Sequence, residues 1–275
     1  MNNVETLYQI MQSTEKAGLL DLDEVLASSF FHDVRKLLTL DYERPSFQKE
    51  ELSDLYQKAS DKFGKMLQEL QVDHPEETKE RFLSSLPEIR HLMDTSVDAI
   101  LEGDPAVLSK QQIVLEYPGF KAILSHRIAH VLYQMNLKML ARYISEDAHR
   151  RTGIDINPGA TIGDHFFIDH GTGIVIGETA VIGSFVKIYQ GVTLGALSLS
   201  KGRLLKGMKR HPTIEDHVTI YSNAAIFGGD TIIGEGSTIG AVVYLTRSVP
   251  KRSIVTMTKD GIKIVPKCER EGKEK

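Results

Sequence analysis

Apolar residues recur with two different periods along this chain, and the change falls near residue 150. From Phe120 onward, Phe120, Ile123, Leu124, Ile128, Val131, Leu132, Met135, Met139, Leu140, Tyr143 and Ile144 follow one another at steps of three and four. That spacing places them on one face of an amphipathic helix, with Pro118 and Gly119 at its start. Earlier stretches around 4–40, 46–71 and 76–102 predict further helices, punctuated by Pro45, Pro75, Pro87 and Asp104-Pro105.

After Gly153 the period becomes six. Ile or Leu stands at 156, 162 and 168, then at 176, 182, 188 and 194, then at 214, 220 and 226, and finally at 233, 239 and 245. Glycine follows six of these, at 163, 177, 183, 195, 234 and 240. A step of six suits neither a 3.6-residue helix nor a continuous strand. It suits a β-helix of hexapeptide repeats, in which three short strands make one triangular coil, aliphatic side chains fill the interior, and glycine and other small residues permit the corners. Coils then stack at the strand spacing of about 4.8 Å, each burying its aliphatics against the next. The fold class expected is α+β, with a helical domain over 1–150, a β-helix over 151–255 and a tail over 256–275.

The phase breaks carry as much information as the repeat. From 168 to 176 the step is eight, so two extra residues interrupt the coil just after His170. From 226 to 233 it is seven. From 194 to 214 it is twenty, and the segment 196–212, ALSLSKGRLLKGMKRHP, has no repeat phase. This segment is an excursion from the prism, and it holds Lys201, Arg203, Lys206, Lys209 and Arg210. A protruding loop on a regular scaffold is where binding groups are sought.

Composition narrows the field. The 275 residues are 41% hydrophobic and 25% charged with a formal net charge of −4. That is the make-up of a globular protein with no overall attraction for nucleic acid or membranes. The single cysteine, Cys268, excludes an internal disulfide and a thiolate-rich zinc site. The first residues, MNNVETLYQI, lack the basic start and apolar run of a secretion signal. No stretch approaches the roughly 20 apolar residues of a membrane span. A cytoplasmic location is expected.

Among the histidines, His126, His130 and His149 fall in the helical region. His170 follows Asp169 at the start of the eight-residue step, which would display its imidazole at a corner. Asp155 lies fifteen residues earlier, nearly one coil back, where a carboxylate could fix the imidazole tautomer and make the other nitrogen a better base. Spacing alone leaves a catalytic pair and two ordinary surface residues equally open. His165, His170, His211 and His217 could be recruited to a metal, but their spacing builds no recognisable ligand set, and no metal is expected.

The segments Gly153-Ile-Asp-Ile-Asn-Pro-Gly-Ala, Ile168-Asp-His-Gly-Thr-Gly-Ile-Val-Ile-Gly-Glu-Thr-Ala-Val-Ile-Gly, Gly191-Val-Thr-Leu-Gly and Arg210-His-Pro, together with Asp104-Pro105-Ala106, resemble serine O-acetyltransferases. The similarity covers roughly residues 100–250. It implies a left-handed β-helix and transfer of acetyl from acetyl-CoA to the hydroxyl of L-serine, in the pathway to cysteine. His170 would be the general base with Asp155 orienting it, Asp104 and Asp169 would hold the substrate ammonium, and Arg210 its carboxylate with His211 nearby. Acetyl-CoA would be a co-substrate, no cofactor being tightly bound. It would lie between neighbouring prisms with Gly195, Ala196 and Ala241 along its pantetheine arm and Lys201, Lys206 or Lys209 at its phosphates. The resemblance further implies a homotrimer or a dimer of trimers, with feedback inhibition by cysteine.

Three features depart from the family pattern. The 196–212 loop is longer, KRSIVTMTKDG follows Val249-Pro250 in place of Gly-Val-Pro-Ala, and the C-terminal isoleucine that docks relatives into O-acetylserine sulfhydrylase is missing, which argues against that complex. Two other readings stay open. One is an acetyltransferase for another hydroxyl such as homoserine or a sugar, and the other is a non-catalytic or metal-dependent prism protein.

Overall fold

The fold is that of a computed structural model, which describes residues 3–12, 22–198, 202–258 and 261–267. Within them, seven helices lead into a left-handed parallel β-helix of about five turns. The helices are α1 (Asn3–Gln12), α2 (Glu24–Glu43), α3 (Lys49–Glu69), α4 (Pro75–Gly103), α5 (Lys110–Glu116), α6 (Pro118–Gln134) and α7 (Lys138–Thr152). None of them is long and apolar enough to cross a membrane.

Two helical expectations are revised. The apolar stripe from 120 to 144 belongs to two helices, because Asn136 adopts a left-handed φ of 63° and Leu137 N–H returns to Leu132 O at 2.9 Å. This is the capping turn that ends helices at glycine or asparagine. Conversely, α4 runs straight through Pro87. Its buried face on either side, Leu83, Leu86, Ile89 and Met93, holds the helix together across the missing backbone bond.

The β-helix begins where Gly153 caps α7 in a left-handed conformation. Its short strands are β1 (Asp155–Ile156), β2 (Thr161–Ile162), β3 (Phe167–Asp169), β4 (Val175–Ile176), β5 (Val181–Ile182), β6 (Lys187–Tyr189), β7 (Thr193–Gly195), β8 (Thr213–Ile214), β9 (Thr219–Ile220), β10 (Ala225–Phe227), β11 (Ile232–Ile233), β12 (Thr238–Ile239) and β13 (Tyr244–Leu245). They stack into three parallel sheets, β1-β4-β7-β10-β13, β2-β5-β8-β11 and β3-β6-β9-β12. The register is that of the sequence period: Ile156 pairs with Ile176, Ile162 with Ile182, Ile168 with Ile188, and so on up the prism. All thirteen phased aliphatics are buried. β14 (Ser253–Thr258) adds to the third sheet beside β12, and β15 (Gly261–Pro266) turns back antiparallel to it. The segment assigned to the tail from 256 thus starts inside β14, while Cys268 lies outside the described residues.

Why glycine follows so many aliphatics is steric. A Cβ at any of the positions 163, 177, 183, 195, 234 or 240 would come within 2.9 Å of an atom in the next coil, closer than atoms pack.

The helical half closes the lower end of the prism. With no coil beneath, the first coil's carbonyls would go unpaired. Arg127 of α6, itself buried, donates to Ile162 O and Gly163 O, and burial draws its guanidinium down to about 10. His130 Nδ1 meets Pro158 O at 2.8 Å, and Thr95 Oγ1 accepts His165 N–H at 3.2 Å. The two cores interlock as well: Ala122 and Ile123 of α6 pack with the prism interior, while Phe167 of β3 packs with the helices.

Replacing Gly163 by alanine should destabilise the protein by about 1–3 kcal/mol, since its Cβ would lie 2.6 Å from the Gly183 backbone. Gly64→Ala in α3, where the new Cβ meets only the Lys79 side chain at 3.5 Å, should stabilise by about 0.5–1 kcal/mol. Denaturant midpoints of both variants check the pair; a Gly163→Ala protein as stable as the parent would refute the steric account.

Candidate active site

The two extra residues of the eight-residue step are the key to the site. His170 and Gly171 both take positive φ, 58° and 94°, at the corner between β3 and β4. The imidazole is displayed there with its side chain 76% exposed, its Nε2 3.8 Å from Asp169 Oδ1. The sequence pattern pointed to this display correctly.

Asp104 reaches the same corner from the helical half. It caps the C-terminus of α4 in an extended conformation. Its Oδ1 accepts the Ala106 N–H at 2.8 Å and its Oδ2 the Tyr117 hydroxyl at 2.8 Å. The Ala106 hydrogen bond, helped by Tyr117, Lys187 and His170, holds its carboxyl below the usual range against the opposing pull of burial. Tyr117 is pushed up to about 12 by burial first and by Asp104 second. Asp169, at the end of β3, has Oδ2 3.4 Å from Lys187 Nζ. The corner therefore offers two carboxylates beside an exposed imidazole. Asp155 lies in β1, in register beneath Val175. Among the described residues no hydrogen bond or ion pair joins it to His170 within one chain.

Arg210 and His211 belong to the neighbouring corner, between the first and second sheets, where the 196–212 excursion rejoins the prism. Thr179 organises this corner. Its Oγ1 accepts the backbone N–H groups of Arg210 and His211 at 2.9 and 3.1 Å, and its own N–H donates to His211 Nδ1 at 3.0 Å. An accepting Nδ1 puts the imidazole proton on Nε2. Burial, then the Arg210 charge, lowers His211 to about 4, so the ring is a neutral donor. Its place exists because residue 177 is glycine, where a Cβ would sit 2.0 Å from the ring. Arg210 is paired with Glu178, which also accepts the Tyr133 hydroxyl at 2.7 Å; the arginine, then the tyrosine, hold that carboxyl low.

Within one chain the predicted site residues thus form two groups on adjacent corners: Asp104, Asp169 and His170 on one, Arg210 and His211 on the other. The positions expected to line acetyl-CoA divide in the same way. Gly195 ends β7 and Ala196 follows it at the loop corner, whereas Ala241 follows β12 on the side of the prism that carries His170. Lys206 is exposed on the loop. Lys209 is not a free cation, since its Nζ donates to Thr179 O at 2.7 Å and Pro212 O at 3.2 Å and so clamps the returning loop. Lys201 lies outside the described residues. Of the histidines weighed for a metal, His165 and His217 stack on either face of Phe185 at centroid distances of 4.1 and 4.8 Å. Among the described residues no three histidine, cysteine, aspartate or glutamate side chains cluster as a metal site.

Four participants went unnoticed in the sequence: Tyr117, Glu178, Thr179 and Lys187. Glu178 and Thr179 stand within the Ile-Gly-Glu-Thr stretch and could have been suspected. Tyr117 and Lys187 depend on how the helices sit on the prism, for which the sequence holds no local signal.

No family model matches the chain. The plasmid serine acetyltransferase of Synechococcus elongatus is 54% identical over 186 residues, covering 66% of this chain and 58% of that protein. The chain thus spans less than two thirds of that relative's length. The serine acetyltransferase of Bacillus subtilis is 47% identical over 164 residues, covering 60% of this chain and 72% of the relative. Among solved structures, Entamoeba histolytica serine acetyltransferase 1 in complex with L-cysteine superposes with a TM-score of 0.76 at 34% identity, over 92% of this chain and 96% of that one. On these similarities the chain belongs to the serine acetyltransferase family.

Proposed function

We propose that the protein transfers the acetyl group of acetyl-CoA to the hydroxyl of L-serine, giving O-acetyl-L-serine and CoA on the route to cysteine. The observation that carries this reading is the exposed imidazole of His170 beside the carboxylates of Asp104 and Asp169. Two anions suit an acceptor's ammonium and leave the imidazole facing its hydroxyl. His170 takes the hydroxyl proton as the oxygen attacks the thioester carbonyl. The tetrahedral adduct then collapses with loss of the CoA thiolate, to which the imidazolium returns the proton. The part of orienting the ring is assigned to Asp155 on the family resemblance alone, and attack is direct, with no acetylated protein side chain. Acetyl-CoA and serine both being cytoplasmic metabolites, the reaction belongs there. A bound L-cysteine in the Entamoeba relative supports feedback by the pathway's end product at the serine site.

The acceptor's carboxylate is assigned to Arg210, with the Nε2–H of His211 beside it. Because these groups occupy the corner adjacent to His170, a complete site requires the His170 corner of one copy to face the Arg210 corner of the next. Head-to-tail contacts of this kind close into a ring, which supports a homotrimer, alone or paired. Acetyl-CoA then lies in the groove between prisms, with Ala241 on one wall and Gly195 and Ala196 on the other.

His170→Ala should lower kcat by about 10²–10⁴ and leave the oligomer intact, as followed by thiol release and sedimentation. Near-full turnover in that variant would sink the base assignment, and turnover with homoserine or a sugar but not serine would reassign the acceptor. Arg210→Ala should act mainly on the serine KM. When His170→Ala and Arg210→Ala chains are co-expressed one to one, about a quarter of sites should combine the two intact corners. At serine well below the KM of the Arg210→Ala variant, activity far above that of either variant alone is expected; no recovery there would rule out sites shared between copies.

A further inference from the structure

A lysine of the prism ties down the C-terminus of α4. This 29-residue helix has no basic residue in its last turn, so its final carbonyls and the negative end of its dipole lack a cation of their own. Lys187, an outward-facing residue of β6, supplies one: its Nζ donates to Gly103 O at 2.9 Å. The same ammonium lies 3.4 Å from Asp169 Oδ2 and 4.2 Å from the centroid of the Phe167 ring, the position directly beneath it in register. Gly103 permits the approach, since a Cβ there would be 2.7 Å from the Phe167 ring. The lysine side chain is only 22% exposed, hence sheltered from screening.

One cation therefore touches the residue preceding Asp104 and the carboxylate of Asp169. By engaging Oδ2 it leaves Oδ1 of Asp169 turned toward His170. It also sets the charge of the corner: two carboxylates and one ammonium beside the imidazole total −1, the complement of one ammonium on an amino-acid acceptor. We propose that Lys187 is a positioning residue for the acceptor's ammonium subsite, latching α4 to the prism and fixing Asp104 and Asp169 as a matched pair beside His170. It touches no reacting atom. This inference rests on the serine-acetylation reading above.

Its test is steady-state kinetics and L-serine binding on the whole oligomeric protein. Lys187→Met should raise the serine KM and Kd about tenfold or more, the scale of a lost charged hydrogen bond. Its kcat should stay within about threefold and its acetyl-CoA KM should be unchanged, the pattern of lost ground-state binding. Lys187→Arg, which keeps the charge and the donors, should restore most of the affinity. Should the methionine variant fail to fold, Lys187→Gln, which keeps a donor for Gly103 O without the charge, must show the same KM effect. An unchanged serine KM, or a loss confined to kcat or to acetyl-CoA, overturns the proposal. Failure of the parent protein to release thiol with serine would instead strike the acetylation reading itself, so the two outcomes are separable.

Discussion

Each coil of the prism is held by the coil below it, through aliphatic side chains touching at the strand spacing. The register of Ile156 under Ile176 under Leu194, and of the equivalent columns on the other two sides, is this contact repeated. Because coils approach so closely, the residue after the aliphatic often has no room for a side chain, which is why glycines 163, 183 and 234 stand where they do. Rigidity along the prism follows, and with it a fixed position for anything projecting from a corner. A group needed for chemistry must therefore sit where the repeat is broken, since an unbroken coil offers only flat outward faces.

Two breaks supply the groups of the candidate site. The extra pair at His170 and Gly171 presents an imidazole, and the excursion through 196–212 returns Arg210 and His211 to the prism under Thr179. The helical half contributes Asp104 by ending α4 on top of Phe167. Electrostatics at the two corners are arranged differently. At the His170 corner carboxylates outnumber cations, whereas at the Arg210 corner the guanidinium is balanced by Glu178 and His211 is kept uncharged by burial. Such opposed settings suit the two ends of a zwitterion.

Much of this was legible before any coordinates. The six-residue phase picked out thirteen aliphatics, all of them buried, and its eight-residue lapse located the exposed histidine, because inward burial and period are linked by strand geometry. The helical half was less readable. Asn136 ended a helix that the apolar stripe would have continued, since a left-handed asparagine leaves no mark on hydrophobic periodicity. Pro87 suggested a boundary that tertiary burial overrode. The roles of Lys187 and Tyr117 could not be seen because their partners are remote in sequence and meet only when α4 and α6 are docked. Lys209 stood with Lys201 and Lys206 among the candidate phosphate ligands, and its engagement by two backbone carbonyls depends on the path of a loop without periodic structure.

The capping of the prism's first coil by Arg127 has a wider meaning. A stack of parallel strands is open at both ends, and an open end is a template onto which another such stack could add, as in fibrous aggregates. Here the lower rim is plugged by a guanidinium and a helix, while above, the chain doubles back in a hairpin whose strand direction is reversed. The lower end of the prism is thus closed to growth along its axis, and above, among the described residues, the third sheet finishes on an antiparallel strand.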